Sequence, residues 1–243
     1  MTLDEIVHWF KARREPQLSK GSIQELLHLL HPRGLFLKTL PKGATLLDMG
    51  AGDGGLAILK AWPFPPRPDI KLYAYSLSKG ENFRDYDGYE IGNWEEARPV
   101  FKGITFDAIF CSHFIEHISD PRIFLQWCRE KLAPQGRLYL EWPSPHSLQL
   151  PSRTDLEAAG VNLIISNYRD DHTHRELPER QKILGILEEL GFTTEQTGFI
   201  HLPFLEDELL AHFAAKGRNG YEVQAAFWSK TLWAQFIVAF RHQ

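Results

Sequence analysis

Residues 46–55 run from an apolar stretch into an acid and then into four glycines, Leu46-Leu47-Asp48-Met49-Gly50-Ala51-Gly52-Asp53-Gly54-Gly55, with a largely apolar segment over 56–62 beyond. That order dictates a buried strand, a tight turn and a helix start. Glycine at 50, 52 and 54 lets the backbone approach a ligand closely, and free amide N–H groups are expected at the positive end of the following helix. Such a turn suits a nucleotide-like cofactor. Asp48 separates two cofactor readings, because a dinucleotide site needs no carboxylate at the strand end.

Upstream, Leu3, Ile6, Val7 and Phe10 fall at helical spacing behind a Thr2-x-x-Glu5 capping box, and Ile23, Leu26, Leu27 and Leu30 repeat the pattern behind Ser22 and Glu25. Two amphipathic helices therefore precede the turn. Downstream, residues 70–77 and 106–111 read as strands, and Asp120-Pro121 opens a helix whose inner face is Ile123, Phe124, Trp127 and Cys128. That helix stops near residues 133–136, a strand covers 137–142, and Pro178 opens a further helix that Gly191 closes. Two late strands, 194–202 and 232–241, are placed for antiparallel pairing at a sheet edge. Alternation of this kind predicts an α/β fold with a parallel sheet. Residues 143–177 are too long for a turn, and a connection of that length after a strand's carboxyl end reads as a ligand-side lid.

A chain of 243 residues is expected to form one domain, with an N-terminal helical cap over 1–40, a cofactor-binding half over 41–142 and an acceptor-side half over 143–243. A net charge of −4 with acids and bases interspersed argues against duplex nucleic acid or an anionic membrane as partner. No apolar run approaches a membrane span and no targeting segment opens the chain, so a cytoplasmic location is expected. Cys111 and Cys128 sit in apolar patterns and read as reduced core thiols. Nothing in the pattern specifies an oligomeric state.

Three separated segments then agree: the glycine turn; Phe106-Asp107-Ala108-Ile109-Phe110-Cys111-Ser112-His113-Phe114-Ile115-Glu116-His117-Ile118-Ser119-Asp120-Pro121; and residues 131–141. In order and spacing they resemble the class I S-adenosylmethionine-dependent methyltransferases, over about residues 40–202. The resemblance implies a Rossmann-like sheet of seven strands, mostly parallel with the last strand antiparallel, and helices on both faces. It implies S-adenosylmethionine as cofactor, with Gly50, Gly52 and Gly54 beside its methionine moiety, Asp48 toward its ammonium group, and Ser112 and His113 bordering the site. Asn93 and Trp94 are candidates for the adenine edge and face. The family usually places an acid after the second strand to hold the ribose hydroxyls. Here Ser76 stands there, a single hydroxyl, with Glu81 and Asp85 nearby in sequence. Residues 167–174, Asn167-Tyr168-Arg169-Asp170-Asp171-His172-Thr173-His174, resemble a segment of methyltransferases in surface-polysaccharide and other sugar pathways. That likeness implies a small sugar-like or anionic acceptor, with Glu116, Tyr168, Arg169 and His172 as acceptor-binding candidates.

Methyl transfer from a sulfonium is an in-line displacement that needs alignment and exclusion of water. A hydroxyl acceptor must also lose a proton, and His113 and His174 are the candidate bases. His113, Glu116, His117, His172 and His174 offer ligands for a divalent metal, which the expected reading does not require. O-methylation of a small acceptor is the leading expectation, and three others stay open. One is metal-assisted methylation of RNA ends. Another is an NADP-dependent oxidoreductase, since Gly50-x-Gly52-x-x-Gly55 satisfies the dinucleotide fingerprint and Ser76 with Lys79 suits a 2′-phosphate. The third is a non-catalytic scaffold that keeps the fold.

Overall fold

The computed structural model describes residues 1–214 and 220–242. Its first elements are α1 (Leu3–Lys11), α2 (Lys20–Leu30), α3 (Pro32–Lys38), β1 (Thr45–Met49), α4 (Leu56–Ala61), β2 (Lys71–Ser76), β3 (Gly88–Ile91), β4 (Phe106–Ser112) and α5 (Pro121–Lys131). They continue with β5 (Leu132–Pro143), α6 (Arg153–Ala158), α7 (Arg180–Glu189), β6 (Phe192–Phe199), α8 (Pro203–Phe213), α9 (Tyr221–Thr231) and β7 (Ala234–Arg241). The chain separates into two compact units, one of residues 1–31, 143–177 and 199–235, the other of 32–142, 178–198 and 236 onward.

The second unit is built on a seven-stranded sheet in the order β3-β2-β1-β4-β5-β7-β6. Strand β1 pairs in parallel with β2 and β4, β2 with β3, and β4 with β5. Against β6, β7 runs antiparallel: Ile200 N donates to Ala234 O at 2.9 Å and His242 N to Gly191 O at 3.0 Å. This is the Rossmann-like sheet expected, and the late strands pair as predicted, with β6 as the edge. Leu46, Leu47, Asp48 and Met49 are all buried, because an interior parallel strand is covered on both faces. Strand order reverses between β1 and β4, so the loops leaving their carboxyl ends diverge and open a crevice there.

Below that crevice, α3 packs Phe36 against Tyr139 at 5.4 Å between ring centroids, and Phe110 stacks on Tyr139 at 4.8 Å. Helix α5 starts where its sequence says it must, with the Asp120 carboxylate accepting from Arg122 N at 2.9 Å and Ile123 N at 3.3 Å ahead of Pro121. Residues 133–136, expected as a turn, belong to β5. The register jumps from Phe106↔Leu132 to Ala108↔Arg137, so a bulge takes up the extra residues without ending the strand. Helix α7 begins at Arg180, two residues after Pro178, and Gly191 beyond it has φ +76°. Cys111 and Cys128 are free and buried, and burial pushes both thiols well above their ordinary pKa.

The first unit holds α1, α2, α6, α8 and α9. Thr2 and Glu5 form the predicted capping box. At α2 the expected cap shifts, because Ser19 accepts from Ser22 N at 3.1 Å and the helix begins nearly a turn earlier. A third N-terminal helix, α3, was hidden from the pattern by its seven-residue length and belongs to the other unit. Residues 143–177 are not an open loop: they carry α6 and two 3-10 turns, Pro145–Gln149 and Tyr168–Asp170. The Asp170 carboxylate ties them together, accepting from Arg153 N at 3.0 Å, Ser166 N at 2.9 Å and Asn167 N at 2.7 Å. Among the described residues no helix is long and apolar enough to cross a membrane.

Candidate active site

The glycine turn joins β1 to α4 with φ of +76° at Gly50, +56° at Gly52 and +84° at Gly54, all in the region that L side chains avoid. The three glycines serve different ends. A Cβ at Gly50 would lie 2.9 Å from Phe114 Cδ2, and one at Gly54 would lie 3.0 Å from Phe83 and 3.1 Å from Tyr86. A Cβ at Gly52 would meet nothing within 4 Å. Gly52 therefore faces open space, while the other two admit aromatic side chains. The expected row of free amides is corrected. Gly50 N and Ala51 N both donate to Tyr75 O, at 2.9 and 3.0 Å, and Gly54 N donates to Ala51 O at 2.8 Å. Moreover α4 is six residues long, too short for a substantial dipole.

Asp48, next to last in β1, lies beside this turn and is 4% exposed. The Tyr86 hydroxyl donates to its Oδ2 at 2.7 Å. Burial pushes the Asp48 pKa up to about 7, against the Tyr86 hydrogen bond and the Arg33 charge, which lower it, while Asp53 adds a small push upward. The carboxyl is thus poised to lose its proton when a cation arrives. Burial and the adjacent Asp48 in turn raise the Tyr86 phenol, which remains a donor at any physiological pH.

At the end of β4, His113 takes a left-handed conformation with φ +54°. Its Nδ1 lies 3.1 Å from Glu116 Oε1 and its Nε2 3.0 Å from Glu141 Oε1. Burial is the largest influence and pulls its pKa down, but the hydrogen bonds and charges of the two carboxylates outweigh it, so the net shift is upward. His113, expected as a base or metal ligand, thus lies between two buried acids. Glu141 is fully buried and is also gripped by Arg33, whose Nε donates at 2.9 and 3.0 Å, and by the Tyr139 hydroxyl. Ser112 Oγ lies 3.5 Å from the same carboxylate. His117 follows in the 3-10 turn Ile115–His117, together with the fully buried Glu116.

Ser76 closes β2 as expected, buried, with its carbonyl accepting from Gly92 N at 3.0 Å. Glu81 and Asp85, both exposed, bound a 3-10 turn. Trp94 packs into the core, edge-on to Phe124 at 5.3 Å and Trp127 at 5.5 Å, with the Arg98 guanidinium over its ring. Asn93 caps the adjacent turn, accepting from Glu95 N at 3.1 Å. In the first unit Tyr168, an expected acceptor contact, is buried, its hydroxyl donating to Arg175 O at 3.1 Å. Arg169 and His172 are exposed. His174 stacks on the Tyr168 ring at 4.4 Å, and its Nδ1 lies 2.6 Å from Tyr168 O.

Sequence reasoning missed Arg33, Tyr86 and Glu141. Glu141 alone carried a signal, an acid inside the apolar run Leu138-Tyr139-Leu140-Glu141-Trp142.

A methyltransferase-domain family model matches residues 19–197. The chain belongs to that methyltransferase family. This methyltransferase is 30% identical over 194 residues to the ubiquinone biosynthesis O-methyltransferase of Xanthomonas axonopodis pv. citri (strain 306), which covers 74% of this chain and 77% of that protein. Against the mitochondrial ubiquinone biosynthesis O-methyltransferase of Mus musculus the identity is 24% over 170 residues, 67% of this chain and 45% of the other. In fold it is similar to a SAM-dependent methyltransferase from Archaeoglobus fulgidus, with a TM-score of 0.54 and 19% identity over 92% of this chain and all of the other. It is a class I S-adenosylmethionine-dependent methyltransferase, and the oxidoreductase reading of the glycine spacing falls away. The residues present fit that cofactor: a buried carboxyl whose ionisation awaits a cation stands beside a glycine turn that opens at Gly52. When bound, the cofactor supplies a methyl group activated by its sulfonium.

Proposed function

We propose that this methyltransferase methylates a hydroxyl oxygen on a small acceptor, with Asp48 receiving the cofactor's ammonium group. The observation that carries the cofactor assignment is the buried Asp48 carboxyl, held by the Tyr86 hydroxyl at 2.7 Å beside a glycine turn that opens at Gly52.

The names of the relatives support oxygen as the nucleophile. They also favour a ring hydroxyl over the sugar hydroxyl that residues 167–174 led us to expect. A phenol, with a pKa of about 10, gives up its proton on methylation far more readily than a sugar alcohol, which is a weaker acid.

A methyl-transfer assay on paired phenolic and sugar acceptors, run with and without a chelator, tests this reading. Methylation of the phenolic hydroxyl, indifference to the chelator and S-adenosylhomocysteine binding weakened by roughly 1.5–3 kcal/mol in Asp48→Ala are expected. Methylation at nitrogen or carbon, or an Asp48→Ala variant of undiminished affinity, rejects it.

A further inference from the structure

We infer that Tyr86 is a positioning residue for the cofactor, its hydroxyl holding the Asp48 carboxylate in the ionised and oriented form that an ammonium group needs. The inference rests on the reading that Asp48 receives that ammonium.

Tyr86 is 8% exposed, and its ring reaches Asp48 because Gly54 has no side chain: a Cβ there would lie 3.1 Å from Tyr86 Cε2. Phe83 packs on the same ring at 5.2 Å between centroids and fixes its direction. The outcome is one O–H donor aimed at Asp48 Oδ2 from 2.7 Å. A phenol that stays protonated can only donate here, and a donor favours the charged over the neutral carboxylate. Gly54 therefore acts on the cofactor through the aromatic side chain it admits. Its absent side chain is the reason the hydroxyl arrives.

The other ionisable groups that bear on Asp48 are Arg33 from α3, Asp53 from the glycine turn and Cys111 from β4. The residues paired with it in the sheet, Ala74 of β2 and Phe110 of β4, carry no charge. Arg33 is already bound to Glu141, and Cys111 is a thiol held neutral by burial. Tyr86 is thus the neighbour whose removal changes the Asp48 proton affinity while conserving charge and nearly conserving volume.

Carbon-13 NMR titration of the Asp48 carboxyl in the cofactor-free protein, native against Tyr86→Phe, reads this directly. The midpoint is expected to rise by about one to two pH units in the variant. Calorimetric titration with S-adenosylhomocysteine gives the second readout. At equal pH the variant's loss of affinity relative to native is expected to shrink from on the order of tens-fold at pH ~6 to a few-fold at pH ~8.5, as both carboxyls ionise. An unmoved midpoint, or a loss that is uniform across pH, overturns the inference. Replacing Tyr86 with a difluorotyrosine, a stronger donor of the same shape, has to move the midpoint downward, which guards against a folding defect in Tyr86→Phe. Asp48→Asn is the separating arm: unchanged S-adenosylhomocysteine affinity there removes the Asp48 reading, whatever Tyr86→Phe does to the midpoint.

Discussion

Gly80 lies flat against Gly52: a Cβ built on Gly80 would stand 2.5 Å from the Gly52 carbonyl oxygen and 2.6 Å from the Asp53 carbonyl carbon. The outer side of the glycine turn is therefore braced by backbone from the segment after β2. Asn82 completes the brace, donating to Asp53 O through its backbone N at 2.9 Å and its side-chain Nδ2 at 3.1 Å.

Backbone cannot move aside as a side chain can, so Gly80→Ala has to displace the turn itself. A cost of about 1–3 kcal/mol in urea unfolding is expected, together with weaker S-adenosylhomocysteine binding. Gly185→Ala in α7 provides the contrast, since its Cβ would meet nothing within 4 Å. There a gain of about 0.5–1 kcal/mol is expected, as for any unhindered glycine in a helix. Equal effects at the two sites would contradict the brace.

Glu141 is fully buried between Arg33, His113 and Tyr139. Arg33→Met strands a carboxylate in the interior and is expected to cost about 3–5 kcal/mol. The double variant Arg33→Met/Glu141→Leu should recover much of that loss, because no uncompensated charge is left. A double-mutant cycle by denaturant unfolding checks this. Additive losses would mean that the pair does not act together.

His113 links stability to pH. Its folded pKa lies above the ordinary 6.5, so its contribution is fully present below pH 6.5 and is lost as pH rises through the folded value. Asparagine tolerates the left-handed backbone at this position and does not titrate. The stability difference between native protein and His113→Asn, measured by urea unfolding, should be largest at and below pH 6.5 and should narrow under alkaline conditions. Asp48 also titrates near neutral pH, but it is present in both proteins and cancels in the difference. A gap that is constant with pH would sink this account.

Asp170 lies in the acceptor-side segment, yet its carboxylate is committed to three backbone N–H groups. Asp170→Ala is expected to cost about 1–3 kcal/mol by leaving those donors unmatched. Proteolysis should then open residues 150–175 first. S-adenosylhomocysteine affinity should hold while the protein is folded, and a selective loss of cofactor binding would contradict the structural role.

The strand, turn and helix around Asp48 were legible because each signal is local: an apolar run, an acid at its end, and glycines within a few residues. The Asp120-Pro121 helix start was legible for the same reason, as was the pairing of the two late strands. At α2 two serines three residues apart compete as caps, and local pattern could not choose Ser19 over Ser22. Trp94 reads equally as a stacking platform or as core, and its edge-on contacts with Phe124 and Trp127 appear only in the folded chain.

By itself the sequence determined the alternation of strands and helices that builds the sheet, the glycine turn with its acid, and the family, since all of these are written in short-range pattern and spacing. Tertiary structure alone decided what each polar group does. Tyr86 reaches Asp48 across 38 positions and Arg33 reaches Glu141 across 108. His113, which the sequence offered as a base, meets a carboxylate on each of its nitrogens only in the folded chain, and its proton affinity rises there. The physical reason is that proton affinity depends on burial and on neighbouring charge, and both are properties of the packed chain.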